Sequence, residues 1–168
     1  MGLVTHELAQ MLQATPKTLA HLVVEVPEER FDAAEPGGWS PRLVLAHLRD
    51  IEVLSLRLGL ERLLAEDEPR LARFDTEAWE TSRNLDRDRK DVLLTDFALQ
   101  RRASAALIEA LGPADWQRTG IAPDGAPVSV EGWVRAWLRH DAEHIAQLEA
   151  LVGETLAEVL ARRAQMRG

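Results

Sequence analysis

From Val130 to Val152 the apolar residues return every three or four positions without a break, and that spacing admits only one kind of local structure. At about 3.6 residues per turn, Val130, Val134, Leu138, Ile145, Leu148 and Val152 line one side of a helix. A second seam beside it carries Trp133, Trp137, His140, His144, Gln147 and Leu151. Ser129 precedes the segment as a hydroxyl cap and Gly153 follows it as a terminator. Such a helix is stable only if its stripe is buried against other elements.

Three further segments have the same period. The first spans about Leu3 to Val26, where Leu8, Met11, Leu12, Leu19, Leu22, Val23 and Val26 recur at helical spacing. Thr15-Pro16 interrupts it and predicts a kink or a split, because a proline inside a helix removes a backbone donor. The second runs from Pro41, after the cap Ser40, to about Ala65. The spacing puts Val44, His47, Leu48, Ile51, Ser55 and Leu58 on its inner face, leaving Leu56 and Leu60 on other sides. The third spans about Lys90 to Leu111, with Leu93, Phe97, Leu107 and Leu111 inward, and Gly112-Pro113 ends it.

The pattern fades from Glu66 to Asp88, where charges gather around Pro69. A connection that long is uncommon and often functional, and it lets the second and third helices run parallel. Ala114 to Val128 reads as plain loop or a small hairpin, and Glu154 to Arg163 as a short last helix. The expectation is an all-α four-helix bundle in one domain over residues 1–168.

The formal net charge of −8 and the scattered arginines argue against a nucleic-acid binder. With no cysteine in the chain, disulfides, thiolate zinc sites and a cysteine nucleophile are excluded. Residues Met1 to Gln13 lack the pattern of a signal peptide. No apolar run approaches the ~20 residues needed to span a bilayer. A cytoplasmic location without membrane contact is expected.

Histidines His140 and His144 lie four apart, so on one helix their Cβ atoms are roughly 5–6 Å apart. Two imidazoles so placed can converge on one cation at about 2.0–2.1 Å. His47 is the remaining histidine on an apolar face; His6 and His21 fall outside the core stripe. Spacing alone leaves two readings open: imidazoles bonded to polar partners in the core, or a three-nitrogen metal site. Rival motifs fail on detail. The run His140-Asp141-Ala142-Glu143-His144 lacks the glutamate that a zincin carries directly after its first histidine. There are no paired Glu-x-x-His motifs for a di-iron bundle, and no cysteines for a zinc deaminase.

The stretch Gly38-Trp39-Ser40-Pro41-Arg42-Leu43-Val44-Leu45-Ala46-His47-Leu48-Arg49-Asp50-Ile51-Glu52 resembles the pattern W-S-x-x-E-v-l-x-H-l-x-d-x-E of the DinB-like (YfiT-like) superfamily. His140 to Leu148 resembles that family's second signature, H-x-x-x-H-x-x-Q-l. Pro69 to Arg83, with Trp79, resembles its long crossover. The chain departs at Arg42-Leu43, where an acidic residue is common.

The resemblance implies an up-down-down-up bundle and one divalent metal held by His47, His140 and His144, with nickel, zinc or iron as the ion. It also implies a homodimer, for which Leu56, Leu60 and Leu99 supply apolar residues beyond the inner faces. Characterised relatives use mycothiol, bacillithiol or glutathione as S-transferases or as an isomerase. The expected function is therefore metal-dependent activation of a low-molecular-weight thiol against a small electrophile; a non-catalytic metal-binding stress-response protein is the alternative.

Three protein ligands leave open coordination positions, as catalytic sites do. Asp50, Glu52, Asp141, Glu143 and Gln147 are candidates to orient the histidines. Trp39 reads as packing at its helix start, Trp133 and Trp137 as core, and Arg49, Arg135 and Arg139 as candidate contacts for an anionic substrate.

Overall fold

In the computed structural model, which describes residues 2–83 and 87–166, four long helical segments pack side by side. Helix α1 is Gly2–Val23 and is followed by the short α2, Glu28–Asp32. The second long segment begins as α3, Pro41–Ile51, passes through a π-helical stretch at Glu52–Arg57 and ends as α4, Leu58–Ala65. A short α5, Thr76–Ser82, lies in the crossover, of which residues 84–86 fall outside the described part. The third is α6, Lys90–Glu109, and the fourth is α7, Val130–Val152, which leads to α8, Leu156–Gln165. Between α6 and α7 a small antiparallel hairpin pairs β1, Thr119–Ile121, with β2, Pro127–Ser129.

The ends are set by the expected chemistry. The hydroxyl of Ser40 accepts from the Leu43 amide at 3.2 Å, and that of Ser129 from the Gly132 amide at 3.1 Å. Gly153 closes α7 at φ 71°, a left-handed turn that glycine adopts without penalty. Helix α8 opens on a full capping box between Thr155 and Glu158.

Buried side chains form two apolar clusters, one toward each end of the bundle. One joins Leu8 and Leu12 of α1 to Leu60 and Leu63 of α4, Ile108 of α6 and Val134 of α7. The other joins Leu19 and Val23 to Val44 and Leu48, Leu93 and Phe97, and Leu148. Helices α1 and α7 thus run one way, and α3–α4 and α6 the other.

Two expectations are corrected. Of the kink or split expected at Pro16, the split does not occur, because α1 continues through it. The cost of the missing donor falls on the Leu12 carbonyl one turn earlier, and that oxygen accepts instead from Arg101 Nη1 at 3.1 Å. The inner face of the second long segment also changes register midway. Val44, His47, Leu48 and Ile51 are buried as expected, but Leu58 is 47% exposed while Leu56 and Leu60 are buried. The π-helical stretch bonds i to i+5 and adds a residue to the turn, so every later side chain rotates toward the next face. Leu56 and Leu60 are therefore core residues, not candidates for an outer contact; Leu99 remains exposed.

Candidate metal centre

His47 comes from the middle of α3, and His140 and His144 from adjacent turns of α7, the facing helix. His47 Nε2 and His144 Nε2 each lie 3.2 Å from His140 Nε2. Ligand atoms of all three rings fall within 4.8 Å of one another, and no carboxylate joins the group among the described residues. Nitrogens 3.2 Å apart, each about 2.1 Å from a shared ion, subtend roughly 100° at it, between the octahedral and tetrahedral angles. The donor set fits a divalent transition metal with open positions.

Protonation agrees. Burial drives the His47 ring pKa down to about 3, and the charges that His144 and His140 would carry push the same way. Burial, then His144, brings His140 to about 4. Both rings are neutral near pH 7 and keep a lone pair for an ion. His144 Nδ1 lies 2.8 Å from Gln147 Oε1; with the proton on Nδ1 donated to that oxygen, Nε2 is left bare. The Nδ1 atoms of His47 and His140 are buried without a protein partner among the described residues.

Aromatic rings surround the cluster. Trp39 stacks on His144 with ring centroids 6.0 Å apart and planes within 4°, and tilts over His47 at 5.0 Å. Phe74 and Trp79, both from the crossover, meet His47 edge-on at 5.6 and 5.4 Å. Trp39 is thus more than helix-start packing. Its place, and that of Phe74, could not be read from periodicity, since neither lies in a periodic segment.

The acidic candidates divide, while Gln147 orients His144. Asp50 does not reach a histidine but accepts from Trp79 Nε1 at 2.9 Å and from Arg49 Nε at 2.7 Å, so it fixes the tryptophan that packs on His47. Burial opposes its ionisation, yet these two donors prevail and its pKa is lowered. Glu52 and Asp141 point away from the histidines and are held by Arg101. Glu143 is exposed. Trp133 and Trp137 are buried core residues, as the sequence suggested.

Arg49 is fully buried against Asp50, Asp88 and the Arg87 carbonyl and is not free to meet a substrate. Arg135 pairs with Glu131 on the surface, and Arg139 is exposed. His6 is exposed beside Gln10, and His21 lies beside Arg163; neither approaches the cluster.

The family model described as the DinB superfamily matches residues 11–148, and the chain belongs to that superfamily. It is 30% identical over 144 residues to a Bacillus licheniformis protein, covering 83% of this chain and 80% of that one. It is 24% identical over 162 residues to an Oceanobacillus iheyensis protein, covering 89% and 87%. Both relatives are provisionally named metal-dependent hydrolases. Among solved structures, YfiT from Bacillus subtilis superposes with a TM-score of 0.72 at 22% identity, over 90% of this chain and 89% of that one. YfiT is described as having an unusual four-helix bundle topology, and the likeness establishes that fold here. The relatives' names and the three-histidine cluster together support a metal cofactor. No described helix is long and apolar enough to cross a membrane.

Proposed function

We propose that His47, His140 and His144 hold one divalent metal ion, nickel or zinc, and that the protein is a metal-dependent enzyme that activates a low-molecular-weight thiol. The thiol, of the bacillithiol, mycothiol or glutathione kind, is transferred to a small electrophile or used to isomerise it. The observation that carries this reading is the convergence of three Nε2 atoms, those of His47 and His144 each 3.2 Å from that of His140. A bound cation there supplies Lewis acidity, lowering the pKa of a thiol or water that joins it.

The protein's own groups select the nucleophile. Three neutral ligands leave the cation's full charge directed at the open positions, which favours an anionic nucleophile. The nearby carboxylates Glu52 and Asp141 are engaged by Arg101 and are not free to act as a general base. A thiol, acidic enough to ionise at the cation unaided, suits such a site better than a nucleophile that needs a separate base. The chain has no cysteine, so the thiol must come from outside. Trp39 and Phe74 offer apolar surface beside the site.

A second reading, hydrolysis by activated water, is favoured by the names of the relatives. A third, metal binding without turnover, keeps the same three ligands. The test is to assay metal-loaded protein with the three thiols against a panel of electrophiles, and separately against ester and amide substrates, with His144→Ala as control. Thiol consumption by wild type alone supports the proposal. Equal consumption in the mutant for every thiol, with metal-dependent ester or amide cleavage, moves the reading to a hydrolase; no turnover of any kind moves it to a binding protein.

The same reading places the protein in the cytoplasm as a homodimer, with exposed Leu54, Leu58 and Leu99 as apolar surface for a second copy.

A further inference from the structure

We propose that Arg101 is a positioning residue for the metal centre, holding the two histidine-bearing helices at the separation that three-nitrogen coordination requires. The inference rests on the metal-site reading proposed for His47, His140 and His144.

Arg101 projects from α6, which carries no histidine, into the layer between the two apolar clusters. It is 1% exposed, and its partners Glu52 and Asp141 are 0% and 2% exposed. Its Nε lies 3.1 Å from both Glu52 oxygens and its Nη2 2.9 Å from Glu52 Oε2. The same Nη2 lies 3.0 Å from Asp141 Oδ1, and Nη1 bonds Asp141 Oδ2. Nη1 also donates to the Leu12 carbonyl that Pro16 sets free in α1. One guanidinium therefore ties all four long helical segments together.

The two carboxylates are completed by neighbours. Trp137 Nε1 donates to Glu52 at 3.1 Å, and the Thr15 hydroxyl donates to Asp141 at 2.8 Å. Phe97 and Trp137 lie against the guanidinium at 4.7 and 5.6 Å from their ring centres. The bonds to Asp141 and Glu52 outweigh the burial that would discharge Arg101, and its pKa is raised.

The placement of the carboxylates gives the network its role. Asp141 directly follows His140 in sequence, and Glu52 lies five residues beyond His47, where the π-helical stretch begins. Fixing Glu52 against Asp141 fixes α3 against α7 beside the point where His47 Nε2 must meet His140 Nε2. Stability alone is a poor reason for such a network, because apolar replacements of a buried ion triad are often neutral or stabilising. A metal site, by contrast, tolerates only about 0.5 Å of ligand displacement.

The test compares wild type with the apolar triple variant Glu52→Leu/Arg101→Met/Asp141→Leu, which leaves no unpaired charge. Three readouts are taken: affinity for Zn²⁺ by chelator competition, the visible spectrum of the Co²⁺-loaded protein, and urea unfolding of the metal-free protein. The expected result is a folded variant whose unfolding midpoint is lowered, because the Leu12 carbonyl, Trp137 Nε1 and the Thr15 hydroxyl lose their partners. Its metal affinity should be about 10–100-fold weaker and its Co²⁺ spectrum altered. A folded variant with wild-type affinity and spectrum overturns the proposal.

Should the triple variant fail to fold, Thr15→Val, which removes one hydrogen bond from Asp141, and Arg101→Lys, which keeps the charge but loses the fork, decide instead. Weaker affinity and a shifted spectrum in both support the positioning role; wild-type values in both overturn it. His140→Ala separates the two readings. If wild type takes up no metal, or His140→Ala takes it up equally, the site itself is wrong and the proposal falls with it. If His140→Ala loses the metal while the network variants keep it unchanged, the positioning role alone fails.

Discussion

Acidifying the metal-free protein from pH 7 to pH 5 should destabilise it through His47 and His140. Their folded-state pKa values of about 3 and about 4 lie below the ordinary histidine value of 6.5. Below pH 6.5 the unfolded chain takes up protons that the folded one refuses. The stability these rings contribute is therefore complete above about pH 6.5 and is lost as pH falls toward 4 and then 3. At about 1.36 kcal/mol per pH unit, each ring loses up to roughly 2 kcal/mol by pH 5, or about 4 kcal/mol together.

For a domain of this size, 1 kcal/mol corresponds to about 2–4 °C in Tm, so a fall on the order of 10 °C is expected. The carboxylates with lowered pKa, such as Glu25 and Asp32, act only at lower pH, which leaves this window to the histidines. Thermal unfolding followed by circular dichroism on chelator-treated protein measures the change, with the double variant His47→Gln/His140→Gln as reference. If wild type and the double variant lose the same Tm between pH 7 and pH 5, the assignment of buried neutral imidazoles is refuted.

His140→Ala should abolish tight binding of one divalent ion per chain, since the ring it removes is the one within 3.2 Å of both others, whereas His21→Ala should not; elemental analysis after metal reconstitution checks both. Gly59→Ala should destabilise the fold, because an added Cβ would lie 2.5 Å from Trp133 Cζ2 and that ring is tied to the Leu56 carbonyl at 2.8 Å. Overpacking of about 1–3 kcal/mol exceeds the helix-propensity gain of up to about 1 kcal/mol, so Tm should fall by a few degrees. Light scattering at micromolar concentrations should give a dimer mass for wild type and a lower mass for Leu99→Glu; a monomer throughout removes the homodimer proposal.

Much of this protein is decided by local chemistry, and that part can be read from the sequence. Ser40 and Ser129 cap their helices because a hydroxyl reaches the third amide of any helix it precedes, and Gly153 ends α7 because a left-handed turn favours glycine. Two histidines four apart must share a helix face, so the partnership of His140 and His144 follows from spacing, while His47 is joined to them only by the family resemblance and by the packing of α3 on α7. Tertiary packing decided the rest. A fixed period cannot register the π-helical stretch, which begins at Glu52, the residue that meets Arg101 and Trp137, and which turned Leu56 and Leu60 inward. Pro16 signals a break to any local rule, yet α1 continues because a guanidinium from another helix takes up the carbonyl it frees. Glu52 and Asp141, adjacent in sequence to the histidine motifs, serve Arg101 instead, because a buried charge takes the nearest opposite charge in space, and that neighbour is fixed only once the helices pack.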